Sequence, residues 1–144
     1  MKLPVDTLLV PVDFSEMSLA ALDTAKTLVS SEAGLNAVHV LSPIIASEPG
    51  VIWGTVDDAS RKTHARQALE KSLQEHDLTG AMAHVRLSDS GNAAWEIVQL
   101  SQELGTELIV LPSHGRHGLS RLAIGSVAER VVRYARCPVL VLRN

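Results

Sequence analysis

Five short apolar runs divide the chain: Thr7 to Val12, Asn36 to Leu41, Met82 to Leu87, Glu107 to Leu111 and Val139 to Leu142. Each has the length of a strand rather than of a helix. The first, fourth and last are continuously apolar, as strands covered on both faces of a sheet should be. The third alternates, with His84 and Arg86 set between less polar neighbours, which suits a more exposed strand.

Between these runs apolar residues recur at helical spacing. Leu19, Leu22, Ala25 and Val29 mark a helix from Ser15 to about Ser31. A second is expected from about Asp57 to His76, a third from Asn92 to Leu104 and a fourth from Ser126 to about Arg136. Gly105 follows the third as a C-cap, and Pro138 ends the fourth. Ser126-Val127-Ala128-Glu129 has the spacing of a capping box, which would fix the start of that helix. Trp95, three residues before Val98, is expected to pack in the core, and His39 to be a hydrogen-bonded core histidine.

Strand–helix alternation closed by a last strand predicts an α/β fold, with residues 1–144 forming one domain. The expected architecture is a single open, five-stranded parallel sheet, Rossmann-like, with helices on both faces. Right-handed crossovers to both faces require the strand order to reverse somewhere. The order 3-2-1-4-5 places that reversal between strands one and four. Ligands in such sheets bind beyond the carboxyl ends of the strands at the reversal. Two segments are thereby singled out: Asp13-Phe14-Ser15 after the first strand, and Pro112 to Ser126 after the fourth.

Composition narrows the class. At 46% hydrophobic and 20% charged residues over 144 positions, the chain is ordinary globular material, and its single Cys137 cannot form an internal disulfide. No apolar run is long enough to cross a bilayer, and MKLPVD meets an acid at once, so a cytoplasmic protein without a membrane partner is expected. The net charge of −3 hides an asymmetry. Residues 113–144 carry six Arg and one acid, whereas residues 1–112 carry seven bases and fifteen acids. That distribution points to an anion site in the C-terminal quarter, not to a nucleic-acid face over the whole molecule. Most of those Arg are equally explained as the wet face of the last helix.

The second segment has chemistry suited to an anion. Gly115 and Gly118 permit backbone conformations that turn N–H groups inward. Gly125 and Ser126 open a helix whose first N–H groups lack intrahelical partners. With Ser113, His114 and Arg116 nearby, two N–H clusters, a hydroxyl and a cation could surround a polyphosphate. The same residues would also serve a plain surface loop and a Ser126 cap. His114 and His117 stand at a spacing that could ligate a metal, yet no cluster completes a zinc site, so they line a phosphate pocket or are solvated. A P-loop Gly-x-x-x-x-Gly-Lys-Ser/Thr and a Gly-x-Gly-x-x-Gly after the first strand are both missing. No residue stands out as a general base with an orienting partner, and an enzyme is not expected. A nucleotide-dependent transferase would need a second catalytic cluster, which the sequence does not offer. The long connection Ser42–Val56 is either a lid or partner surface near the site, or a loop packed over the second helix.

Leu9-Val10-Pro11-Val12-Asp13-Phe14-Ser15-Glu16, the stretch from Glu107 to Arg143, and within it SVAERVV and RCPVLVLR carry a resemblance. Along nearly all its length the chain resembles the universal stress protein family, whose fold is adenine nucleotide alpha-hydrolase-like. The ATP-binding subgroup is marked by Gly, two residues, Gly, nine residues, then Gly-Ser or Gly-Thr. Gly115, nine residues and Gly125-Ser126 match it, while Pro112 stands where the first glycine belongs. Proline brings a ring and no N–H.

The resemblance implies a small regulatory homodimer of the stress response that binds ATP, or else AMP or ADP. It implies that Asp13 contacts the nucleotide or a Mg or Mn ion beside the phosphates, although Asp13 could instead cap the first helix, as could Ser15. Pro11 and Val12 would line the adenine pocket, and Val40 would offer backbone groups to the base. Pro112, Ser113, His114, Gly115, Arg116, Gly118, Gly125, Ser126 and Val127 would surround the rest of the ligand. The apolar edge strand Val139–Leu142 would pair with its copy in a homodimer, an outcome that an unprotected edge favours independently. His84 and Arg86 would shield the opposite edge. An unidentified regulatory protein would read the nucleotide-bound surface. The alternative is a stress-related interaction protein of the same family without nucleotide, which Pro112 favours.

Overall fold

The computed structural model describes residues 1–43, 57–114 and 123–143. In chain order they form β1 (Leu8–Pro11), α1 (Glu16–Leu28), β2 (Leu35–Leu41), α2 (Asp58–Glu75), β3 (Met82–Leu87), α3 (Ala93–Glu103), β4 (Leu108–Pro112), α4 (Ser126–Tyr134) and β5 (Val139–Leu142). The strands make a five-stranded parallel sheet in the order β3-β2-β1-β4-β5, as the strand–helix alternation predicts. Gly34, at the end of a single 3-10 turn before β2, passes so close to β1's entry that a Cβ there would lie 1.9 Å from the Asp6 carbonyl oxygen.

Alternate residues of the central strands point to opposite faces, and each face carries two helices. Leu8 and Val10 pack with Leu22 and Ala25 of α1 and Leu69 and Leu73 of α2. Leu9, Ile109 and Leu111 pack with Ile97 and Leu100 of α3 and Ala128 and Val131 of α4. β1 and β4 are therefore buried on both sides, which explains their unbroken apolar sequence. β5 is less covered than its sequence implies: it lies at the sheet edge, and Leu140 is 37% exposed.

Three helices begin as their sequences direct. The side chains of Ser15, Asp57 and Asn92 accept from the amides of Ser18, Ser60 and Trp95, capping α1, α2 and α3. Gly105 takes φ +63° just past α3, a C-terminal turn that glycine makes without strain. α4 departs from expectation. Its N-cap is Gly125, with no side-chain cap bond, and the capping box of Ser126 and Glu129 does not form. The Glu129 carboxylate instead accepts from Arg133 one turn on, at 2.6 Å. The helix stops at Tyr134, because Ala135 is already extended. Trp95 is also not in the core: it is 54% exposed, since α3 turns Ala94, Ile97 and Val98 inward and leaves position 95 beside that stripe. Among the described residues no helix is long and apolar enough to cross a membrane.

Candidate functional site

The ladder between β1 and β4 is short. Only Leu8 with Leu108 and Leu9 with Ile109 are paired, after which the strands part. β1 stays with β2 as far as Pro11 and Val38, and the Val12 amide still donates to the Val38 carbonyl at 2.8 Å. β4 stays with β5 as far as Pro112 and Leu142, and the Ser113 amide donates to the Leu142 carbonyl at 2.8 Å. The crevice expected at the reversal of strand order is thus physically a splitting of the sheet. A cavity of about 590 Å³ opens there, within the usual range for a small-molecule site.

Four chain segments supply most of its walls. Pro11, Val12 and Asp13 leave β1, and Val40, with His39 and Ser42, comes from the end of β2. Pro112, Ser113 and His114 leave β4, and Gly125, Ser126 and Val127 open α4. The Pro112 ring therefore forms a wall of the hollow and does not plug it. Gly115, Arg116 and Gly118 lie outside the described residues, as do His117 and positions 44–56 of the long connection.

Asp13 sits at the turn into α1. Its carboxylate accepts from the Ser15 amide at 3.0 Å and from the Ser15 hydroxyl at 2.5 Å, while its own amide donates to Ser18 Oγ at 3.2 Å. Ser15 is the N-cap, so the capping role open to both residues belongs to Ser15 and Asp13 braces it from the cavity side. Phe14 takes φ +63° between them, and its ring lies 4.7 Å from that of His39.

Backbone direction decides what Pro112 removes. Within a strand, a residue's N–H and C=O point to one side, and alternate residues share that side. Ile109 and Ser113 donate to β5, so position 112 faces the other way, toward β1. β1 has already parted from β4 at that level. In register, the next rung would run from a position-112 amide to the Pro11 carbonyl, so proline leaves the split open there, and the amide it lacks is one that would have faced the crevice.

The same reasoning applies to β2. The Val38 carbonyl faces β1, and the Leu41 carbonyl faces β3, where it accepts from the Ser88 amide at 2.9 Å. Val40 therefore turns its N–H and C=O toward β1's side, just past the point where β1 ends. On the far wall the Gly125 amide donates to the Ser113 carbonyl at 2.6 Å, drawing the start of α4 onto the end of β4. The first amides of α4 then open toward the cavity, where an anion is favoured. Ser113 is buried, and its hydroxyl meets His114 Nδ1 at 3.0 Å.

Arg61 is a cavity-lining cation that sequence reasoning missed. Its Nη2 donates to the Ser42 carbonyl at 2.6 Å and its Nη1 to Asp58 at 3.2 Å, with the side chain 22% exposed. Nothing in its local sequence marks it, since its role depends on where β2 ends. Ser18, also in the lining, was hidden by its position inside α1.

Groups with displaced pKa values lie elsewhere. Burial first, then the charges of Arg66 and Arg86, lower that of His84 on β3. Burial raises that of Cys137, and the Ser60 amide lowers that of Asp57. Among the described residues no three His, Cys, Asp or Glu side chains are grouped to hold a metal ion.

Comparison with known proteins fits this geometry. A model of the universal stress protein family matches residues 4–143. The chain belongs to the universal stress protein family. A universal stress protein of Methanocaldococcus jannaschii is 32% identical over 140 residues, covering 95% of this chain and 81% of that protein. Among solved structures, the universal stress protein UspA from Lactobacillus plantarum superposes with a TM-score of 0.73 at 26% identity, covering 96% of this chain and 97% of that one. A universal stress protein from Archaeoglobus fulgidus, solved in complex with dAMP, shares the fold with a TM-score of 0.58 at 23% identity, covering 97% of this chain and 99% of that one.

Proposed function

We propose that this universal stress protein is a cytoplasmic nucleotide-binding regulator, with ATP, or else AMP or ADP, as its ligand. One observation carries the reading. The split between β1 and β4 leaves a cavity with a donor–acceptor backbone pair on its β2 side and a helix N-terminus on its β4 side. An adenine edge presents a ring-nitrogen acceptor beside the N6 amino donor, which matches the N–H and C=O of Val40. Phosphates match the amides at Ser126 and Val127, the Gly125 amide being held by the Ser113 carbonyl. Pro11 and Val12 would flank the base, and Asp13 would accept from ribose hydroxyls or hold a Mg or Mn ion at the phosphates. The dAMP held by the Archaeoglobus fulgidus protein supports the ligand class.

In this reading bound nucleotide stiffens the walls of the crevice, and a partner protein reads the changed surface. Two copies joined along β5 would satisfy the free edge of Val139–Leu142. The non-nucleotide alternative is favoured by one observation, the absent amide at Pro112. Extraction of small molecules from freshly purified protein, followed by mass spectrometry and by calorimetric titration with ATP, separates the two. Co-purified adenine nucleotide or saturable ATP binding supports the proposal. A chain that neither carries nor binds any adenine nucleotide overturns it.

A further inference from the structure

Two backbone carbonyls beside Val40 are both taken by side chains. The Val12 carbonyl lies 2.7 Å from His39 Nδ1. A carbonyl only accepts, so His39 carries its proton on Nδ1 and donates. In a continuing parallel ladder that carbonyl would have received the Val40 amide, as the next rung after the one between Val12 N–H and the Val38 carbonyl. It does not, and β1 ends at Pro11. On the other side, the Ser42 carbonyl, which shares Val40's edge by alternation, accepts from Arg61.

We infer that His39 and Arg61 are positioning residues for base recognition: they engage the carbonyls on either side of Val40 and keep its N–H and C=O without a partner among the described residues and turned into the cavity. The inference rests on the nucleotide reading and adds to it the residues that set base selectivity. His39 keeps β1 from zipping one rung further along β2. Arg61 removes the Ser42 carbonyl as a competing acceptor and ties the end of β2 to α2, where Asp58 steadies the guanidinium. Neither side chain has to touch the base for this, and both would be called ordinary structural residues from sequence.

Amide exchange and selectivity test it together. In the ligand-free parent chain the Val40 amide should exchange at least tenfold faster than that of Val38, and ATP should protect it. His39→Leu frees the Val12 carbonyl to accept from Val40, so the Val40 amide should exchange more slowly in the variant. A merely structural lesion would speed exchange instead. The parent should bind ATP at least tenfold more tightly than purine riboside triphosphate, which lacks the 6-amino group. His39→Leu and Arg61→Ala should each shrink that ratio severalfold, and His39→Asn, whose amide nitrogen can replace Nδ1, should restore it.

A Val40 amide as protected as that of Val38 in the free parent overturns the inference, even if the variants fail to fold. So does a His39→Leu protein that discriminates as the parent does. Failure of the parent to bind either triphosphate overturns the nucleotide reading itself, and with it the selectivity role.

Discussion

The Gly125 amide donates to the Ser113 carbonyl across 2.6 Å, clamping the start of α4 to the end of β4. A Cβ at position 125 would lie 3.0 Å from that oxygen and 3.5 Å from the His114 Cα. The tight contact is with a backbone oxygen, so Gly125→Ala shifts the helix start against the cavity wall by a few tenths of an ångström and strains the bond that clamps it. ATP binding should weaken at least tenfold, about 1.4 kcal/mol, with the circular dichroism spectrum unchanged. Calorimetric titration checks this, and parental affinity would contradict the site.

Pro112→Gly should act in the opposite direction. The restored amide faces the crevice where β1 and β4 have already parted, so it becomes a new donor to ligand. One hydrogen bond nets about 1 kcal/mol, and ATP affinity should rise about fivefold. The added chain entropy should lower stability by roughly 0.5–1 kcal/mol, measured by urea denaturation.

The two serines at helix starts should behave differently. Ser15 caps α1 and is braced by Asp13, so Ser15→Ala should cost about 1 kcal/mol. Ser126 lies inside α4 and makes no cap bond, so Ser126→Ala should change stability by less than about 0.5 kcal/mol. Thermal melts of the two variants side by side decide this.

His84 should make stability depend on pH. Its folded pKa is lowered, by burial first and then by Arg66 and Arg86. The unfolded chain therefore binds a proton more readily than the native protein does. As pH falls below about 6.5, stability should decline, and the decline should be complete once pH passes the folded value. His84→Gln keeps a donor for Asn36 Oδ1, which His84 Nε2 meets at 2.9 Å, and should flatten that part of the profile. Urea denaturation at several pH values from about 5 to 7.5 reads the difference.

Much of the fold was legible because the strongest signals were also the most local. The unbroken apolar β1 and β4 announce a sheet covered on both faces, and Ser15, Asp57 and Asn92 stand where three helices begin. Sequence reasoning failed where a competing partner or the orientation of a helix decided the outcome. Glu129 had the spacing for a capping box, but Arg133 took its carboxylate. Trp95 had helical spacing to Val98, yet a small rotation about the α3 axis separates the buried stripe from the surface. Arg61 and His39 were unreadable as site residues for a long-range reason: both act on carbonyls of strand ends that lie far from them in sequence and are placed only by the sheet.

The early parting of β1 and β4 has a consequence for descent with modification. Side chains past Leu9 and Ile109 bear on whatever occupies the hollow, but they hold no rung between those two strands. Substitutions there can exchange one small-molecule tenant for another while the scaffold stays intact, so a shared shape among relatives need not mean a shared ligand.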